Sequence, residues 1–136
     1  MKIQKLILST LFLMVCIFFV SGACASTGHQ QIESQDSSYG YTEDNPIKVG
    51  GIAQGKGPEN ERNYLNRLRG PNGQKINYKR VGSCCAFKTS KGFLGSGLLD
   101  MYEVTYEGLN EPVTLYLNFY EFEALKAPIG FQLTGE

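Results

Sequence analysis

The strongest structural pattern in the chain lies at residues 101–119, "MYEVTYEGLNEPVTLYLNF". Apolar and polar side chains alternate on both sides of a connection at residues 108–112. Because successive side chains of a strand point to opposite faces, each run presents one apolar and one polar face. The apolar positions are Tyr102, Val104 and Tyr106 before the connection, and Val113, Leu115, Leu117 and Phe119 after it. This alternation predicts an antiparallel hairpin with one buried face.

A single helix is predicted at residues 57–70, "GPENERNYLNRLRG". Pro58 suits the first turn, where its missing N–H has no cost, and Gly70 suits a left-handed stop. Tyr64, Leu65 and Leu68 form a narrow apolar stripe, so the helix should cover one side of another element.

Two further strands are predicted before the hairpin, at residues 47–49 and 74–81, and residues 88–97, "KTSKGFLGSG", are predicted to form a mobile loop. The elements together predict an α+β domain with a small antiparallel sheet of three to five strands and one packed helix. A closed β-barrel with a single helix is the alternative.

The N-terminus has the order of a secretory signal peptide over residues 1–25: Lys2 and Lys5, an apolar run, then small residues. The sequence "SGAC" resembles a lipobox, which would make Cys24 the acylated first residue; ordinary cleavage after Ala25 is the other alternative. Residues 26–40 are polar and aperiodic and predict a flexible linker. Residues 41–136 are predicted to form one domain, exported to the cell envelope, lipid-anchored or secreted.

Export leaves two candidate thiols, Cys84 and Cys85, because Cys16 and Cys24 are removed or acylated. Separate packing of the two side chains at a strand end is the expected arrangement. The alternatives are a vicinal disulfide with a redox role, which close α-carbons would strain, and an intermolecular or metal-binding role. With one histidine in the chain, no structural zinc site and no cofactor are predicted.

Charge is segregated along a chain whose formal net charge is zero. Residues 62–91 hold eight basic residues and no acidic one. Neutralisation by acids elsewhere in the fold is the expected outcome, and the functional alternative is an anion-binding surface for an envelope glycan, a lipid headgroup or a protein partner. Its candidate residues are Arg67, Arg69, Lys79, Arg80 and Lys88. The charge balance argues against a nucleic-acid partner.

No catalytic constellation is evident. A Ser-His-Asp or Cys-His arrangement is missing, since His29 lies in the predicted linker. The carboxylate pairs on the hairpin suit the solvated side of a sheet. The expected function is therefore binding or structural, and a thiol-dependent redox protein is one alternative.

Four stretches, "YGYTEDNPIKVGG", "GPENERNYLNRLRGPNGQKI", "RVGSCC" and "LDMYEVTYEGL", resemble a family of short exported proteins and lipoproteins of Gram-negative bacteria. Some members carry the name 2-dehydro-3-deoxyphosphooctonate aldolase, so the resemblance implies a phosphosugar enzyme as a further alternative. Such an enzyme would need a (β/α)₈ barrel of about 250 residues.

Overall fold

The computed structural model describes residues 32–135. The predicted signal peptide, the lipidation site Cys24 and the first part of the predicted linker lie outside the described residues. Within them the strands are β1 (Ile47–Lys48), β2 (Leu68–Arg69), β3 (Ile76–Phe93), β4 (Ser96–Tyr106), β5 (Val113–Asn118) and β6 (Gln132–Leu133). One α-helix, α1 (Gly57–Arg67), follows a 3₁₀ turn at Ile52–Gln54.

The main sheet has four strands in the order β1-β5-β4-β3, and β2 pairs with β6 in a second small sheet. The predicted hairpin is confirmed: β4 and β5 are antiparallel, with Tyr102 opposite Leu115 and Val104 opposite Val113. The predicted α+β class with one helix is also confirmed. The sheet is mixed rather than wholly antiparallel, because β1 runs parallel to β5. It is also open, with β1 and β3 at its edges, and so is not a barrel.

The core lies between α1 and one face of this sheet. Leu65 and Leu68 at the helix and Val104, Leu115 and Leu117 on the strands are completely buried. Burying one such side chain stabilises the fold by about 1.5–3 kcal/mol, so these contacts hold the helix on the sheet.

The predicted linker at residues 26–40 extends too far, because residues 32–40 pack on the domain. Ser34 N donates a hydrogen bond of 2.8 Å to Ala127 O, and the Tyr39 side chain belongs to the core, with 4% of its surface exposed. Because the segment is mostly polar, its sequence pattern does not indicate that Tyr39 belongs to the core.

The predicted loop at residues 88–97 is wrong. β3 continues to Phe93 and β4 begins at Ser96, so the segment forms the end of a long hairpin. Leu94 and Gly95 make the turn with positive φ angles of 52° and 79°. A Cβ atom at Gly97 would lie 2.9 Å from the Phe87 ring, so a larger residue there would have to displace this ring.

The architecture of residues 32–135 differs from the barrel that the aldolase name implies, since it has one helix and a four-stranded open sheet. The described helix, 11 residues long, does not meet the length and hydrophobicity that a membrane span requires.

Candidate ligand-binding groove

A groove of about 530 Å³ runs along the outer side of α1, between the helix and the segment after β5. Its walls include three asparagines of the helix, Asn60, Asn63 and Asn66, together with Arg67 and Phe122. No acidic side chain among the described residues lines it. The groove therefore combines hydrogen-bonding amides, one positive charge and an aromatic ring.

The helical repeat explains this arrangement. Residues three apart are neighbours on a helix surface, so the three asparagines follow one another along one side of α1. Asn60 Nδ2 donates to Val49 O at 3.3 Å and to Gly50 O at 3.2 Å. Asn66 Oδ1 accepts a 2.9 Å hydrogen bond from the Tyr78 hydroxyl. Two of the three amides are thus held in a fixed orientation, and Asn63 is exposed to solvent.

A second recess of about 310 Å³ adjoins the groove, since both are lined by Val49, Asn60 and Phe122. It adds Gln54 and Lys91, and it too has no acidic side chain among the described residues on its walls. Phe122 is 69% exposed where the two meet. This is a large apolar ring left in water, which is typical of a binding surface.

The Gly50-Gly51 turn shapes the floor between the two recesses. Gly51 has a positive φ of 110°, and a Cβ atom there would lie 2.7 Å from Asn60 Nδ2. A larger residue at Gly51 would therefore displace Asn60. From the sequence, these glycines predict only the end of the strand at residues 47–49.

The structure does not gather the five predicted anion-binding residues into one surface. Arg67 lines the groove, and its Nε donates to Thr134 O at 3.0 Å. Arg69 lies just beyond the helix and donates from Nη1 to the carbonyls of Asn66 and Leu68, at 2.8 and 2.6 Å. Both guanidinium groups thereby fix the end of α1.

The other three predicted cations lie along β3. Lys79 Nζ is 4.0 Å from Glu103 in an exposed pair, and Arg80 binds Asp100 through two hydrogen bonds of 2.7 and 2.8 Å. Lys88 lies further along the strand and is exposed. Lys79 and Arg80 thus pair with acids of β4. For these two residues, acids elsewhere in the fold neutralise the positive charge, which is one of the two outcomes that the charge pattern allowed.

A buried acidic cluster joins α1 to the sheet, and the sequence analysis did not identify it. Glu61 is fully buried on the helix, and its Oε2 accepts a 2.9 Å hydrogen bond from the Tyr102 hydroxyl. Burial, with the nearby Asp100 charge, raises the pKa of Glu61 to about 8. Glu61 Oε1 has no hydrogen-bond partner among the described residues, and protonation of the carboxyl avoids a second buried negative charge near Asp100.

Asp100 is the ionised member of this pair. Burial opposes its charge, but hydrogen bonds from Arg80 and Ser83 outweigh burial and lower the pKa of Asp100. Ser83 Oγ lies 2.7 Å from Asp100 Oδ1. The cluster therefore holds one proton on Glu61 and one negative charge on Asp100, which Arg80 neutralises.

Cys84 and Cys85 form a disulfide with each other. The expected packing as separate thiols at a strand end is not found, because the pair lies within β3, where the strand register shifts between Cys84 and Phe87. This shift is a β-bulge, and Cys85 has a positive φ of 59°. Both cysteines are half-buried on an edge strand.

Within residues 32–135 no group of three or more metal-binding side chains converges.

Of the groove residues, only Arg67 was among the candidate binding residues predicted from the sequence. The available signal was the repeat of asparagine at every third position of a predicted helix, on the side that adjoins its apolar stripe at Tyr64. The sequence gave no indication that Phe122 is a groove residue, because its exposure depends on how the chain folds after β5.

Comparison of the chain with models of known families, with curated proteins and with solved structures gave no match.

Proposed function

We propose that the chain is an exported, lipid-anchored envelope protein that binds an acidic glycan in the groove beside α1. The observation that carries the binding proposal is the groove wall, where three amides, Arg67 and an exposed Phe122 meet without a carboxylate. The leader and Cys24 support export and anchoring.

The wall chemistry suits a sugar. An asparagine amide both donates and accepts hydrogen bonds, as sugar hydroxyl and acetamido groups do. An aromatic ring offers an apolar surface to the C–H face of a pyranose. The volume of about 530 Å³ lies in the range of small-molecule sites and accommodates a short saccharide.

The charge around the groove favours an acidic sugar over a neutral one. Lys91 in the adjoining recess adds an exposed positive charge, Arg67 on the groove wall also donates to Thr134 O, and a bound carboxylate meets no acidic wall residue among those described. Charge-assisted hydrogen bonds to a carboxylate are stronger than neutral ones. An acidic sugar should therefore bind more tightly than its neutral counterpart.

Calorimetry on the mature chain carrying Cys24→Ser tests this proposal. The acidic probe is the disaccharide of N-acetylglucosamine and N-acetylmuramic acid, and the neutral probe is the disaccharide of N-acetylglucosamine. We expect tighter binding of the acidic probe and a loss of about tenfold or more in the Asn63→Ala/Phe122→Ala variant, which corresponds to about 1.4 kcal/mol. Asn77→Ala, an exposed change on β3, is the matched control. Equal binding by all three proteins would exclude the groove.

Mass spectrometry of the membrane-associated protein tests the anchoring proposal separately. We expect an N-terminal Cys24 that carries lipid. A mature chain that begins after Ala25 would contradict anchoring and leave groove binding intact.

The Cys84–Cys85 bond favours a second candidate function, thiol–disulfide exchange. Adjacent cysteines hold their α-carbons closer than the roughly 4.4–6.8 Å of relaxed disulfides, and strained disulfides are the readily reduced ones. In the exchange a dithiol donor passes two electrons and two protons to the bond. The donor becomes a disulfide, and Cys84 and Cys85 become thiols.

Equilibration in glutathione buffers, followed by alkylation and mass measurement, tests this second function. We expect reduction in buffers that leave ordinary structural disulfides intact, with the domain still folded. Cys84→Ser/Cys85→Ser is the unreactive control. A bond that is reduced only when the domain unfolds is structural, and this outcome would remove the redox candidate.

A further inference from the structure

The far end of the β3–β4 hairpin projects beyond the rest of the sheet. Pairing between β4 and β5 stops at Asp100 and Leu117, so the hairpin beyond this point is two-stranded. At its end Phe93 is 86% exposed and Leu94 is 89% exposed. Two adjacent large apolar side chains in water at the end of a projecting hairpin are unfavourable for a protein that stays in solution.

The conformation of this hairpin tip, defined as Phe93 and Leu94 with the turn around them, is fixed by short contacts. Gly95 N donates to Gly92 O at 3.3 Å, and Thr89 N donates to Gly95 O at 3.1 Å. A side chain at Gly92 would overlap the Ser96 backbone, so glycine is needed there. Nearer the sheet, the Phe87 ring packs edge-to-face on Tyr120 with 5.7 Å between centroids. The hairpin tip therefore presents its apolar residues outward.

Positive charge surrounds the tip. Lys88 and Lys91 are exposed on the strand that leads to it, and residues 62–99 contain no acid. The acid that follows, Asp100, is held by Arg80. The tip thus combines an apolar end with cationic flanks, which is the chemistry that recognises an anionic lipid surface.

We propose that Phe93 and Leu94 insert into the interfacial layer of an anionic bilayer while Lys88 and Lys91 contact lipid phosphates. A protein partner suits the tip less well, because two side chains are far smaller than the roughly 800 Å² that each partner buries in a stable interface. Insertion requires only apolar area and charge, and both are present. This proposal shares Lys91 with the recess beside the groove but does not depend on glycan binding or on acylation at Cys24.

Tryptophan fluorescence tests the insertion directly, because the chain has no tryptophan. The unacylated Cys24→Ser protein carries Phe93→Trp and is mixed with phosphatidylcholine vesicles, with or without an equal part of phosphatidylglycerol. We expect a blue shift and quenching by lipids brominated on the acyl chains, only when phosphatidylglycerol is present. Phe122→Trp, in the groove, is the matched control and should keep the emission of a ring in water.

Vesicle sedimentation supplies the second readout. We expect Phe93→Ser/Leu94→Ser to weaken binding by about tenfold or more, and Lys88→Glu/Lys91→Glu to do the same only with anionic vesicles. Phe93→Trp emission that stays unshifted and unquenched would overturn the proposal, as would quenching of Phe122→Trp instead. A blue shift that depends on protein concentration without vesicles would also overturn it, by showing self-association.

Discussion

The two halves of the β3–β4 hairpin differ in what fixes them. In the inner half, residues 76–80 pair in regular register with β4, and Ile76, Tyr102 and Val104 are buried. In the outer half the register shifts repeatedly, the cysteines form a bulge, and Phe93 and Leu94 are exposed. Core burial thus specifies the inner half. The outer half contributes little to the core, so its sequence is available for contacts with other molecules.

Helix α1 shows the same contrast across its two sides. Glu61 and Leu65 on the inner side are completely buried, whereas the asparagines line an open groove on the other side. The exposed side chains of the groove and of the outer hairpin should therefore tolerate substitution far better than core residues.

The largest effect is expected for Leu115→Ala on the buried face of β5. The side chain is completely buried opposite Tyr102, so its removal leaves a cavity and should lower the free energy of unfolding by about 2–5 kcal/mol. Urea denaturation measures this loss. A change below about 1 kcal/mol would mean that the core is not where the structure places it.

Glu61→Gln should change how stability depends on pH. The pKa of Glu61 is about 8 in the fold and near 4.5 when unfolded, so the contribution of Glu61 to stability is fully present below about pH 4.5 and is lost as the pH rises towards 8. The total loss is on the order of a few kcal/mol, at about 1.4 kcal/mol per pKa unit. Glutamine can still accept the hydrogen bond from Tyr102 and does not titrate, so its curve should be flatter. Parallel curves for the two proteins would contradict the protonated state of Glu61.

Asp100→Ala should have an intermediate effect at the junction of the two hairpin halves. It leaves Arg80 and Ser83 without their buried acceptor, so the free energy of unfolding should fall by about 1–3 kcal/mol. Glu103→Ala breaks the exposed pair with Lys79 and is the control, with an expected loss of about 1 kcal/mol or less. Thermal unfolding compares the two, and equal losses would show that burial of Asp100 contributes nothing.

The smallest effect is expected for Leu94→Ser at the hairpin tip. Its side chain is 89% exposed, so the free energy of unfolding should change by no more than about 0.5 kcal/mol. A loss of the size expected for Leu115→Ala would show that the tip serves the fold instead of a partner.

Patterns of alternation explain why the fold class was predictable from sequence. The period-two pattern of residues 101–119 and the apolar stripe of α1 both reflect burial, which acts on every second strand residue and on one helix face. Residues 32–40 and 88–97 lack such a pattern. Residues 32–40 are held by Tyr39 in the core and by backbone hydrogen bonds, and residues 88–97 by strand pairing and glycine-dependent contacts. None of these interactions produces a periodic pattern in the sequence.

The candidate site was less predictable. The charge of Arg67 was visible in the sequence, but the groove depends on Phe122 and on the Gly50-Gly51 turn, which meet α1 only in three dimensions. The sequence did not decide whether Cys84 and Cys85 bond to each other, because adjacent cysteines can either form a disulfide or pack separately. The acids that engage Lys79 and Arg80 lie on β4, so the sequence alone could not assign these pairs.

A map of backbone amide shifts by NMR, recorded while the Cys24→Ser protein is titrated with the acidic disaccharide, tests the binding proposal most directly. The proposal predicts saturable shifts confined to Asn60, Asn63, Asn66 and Phe122 with their neighbours, and smaller shifts with the neutral disaccharide. Shifts centred on β3, or none at concentrations where the probe is in large excess, would contradict it.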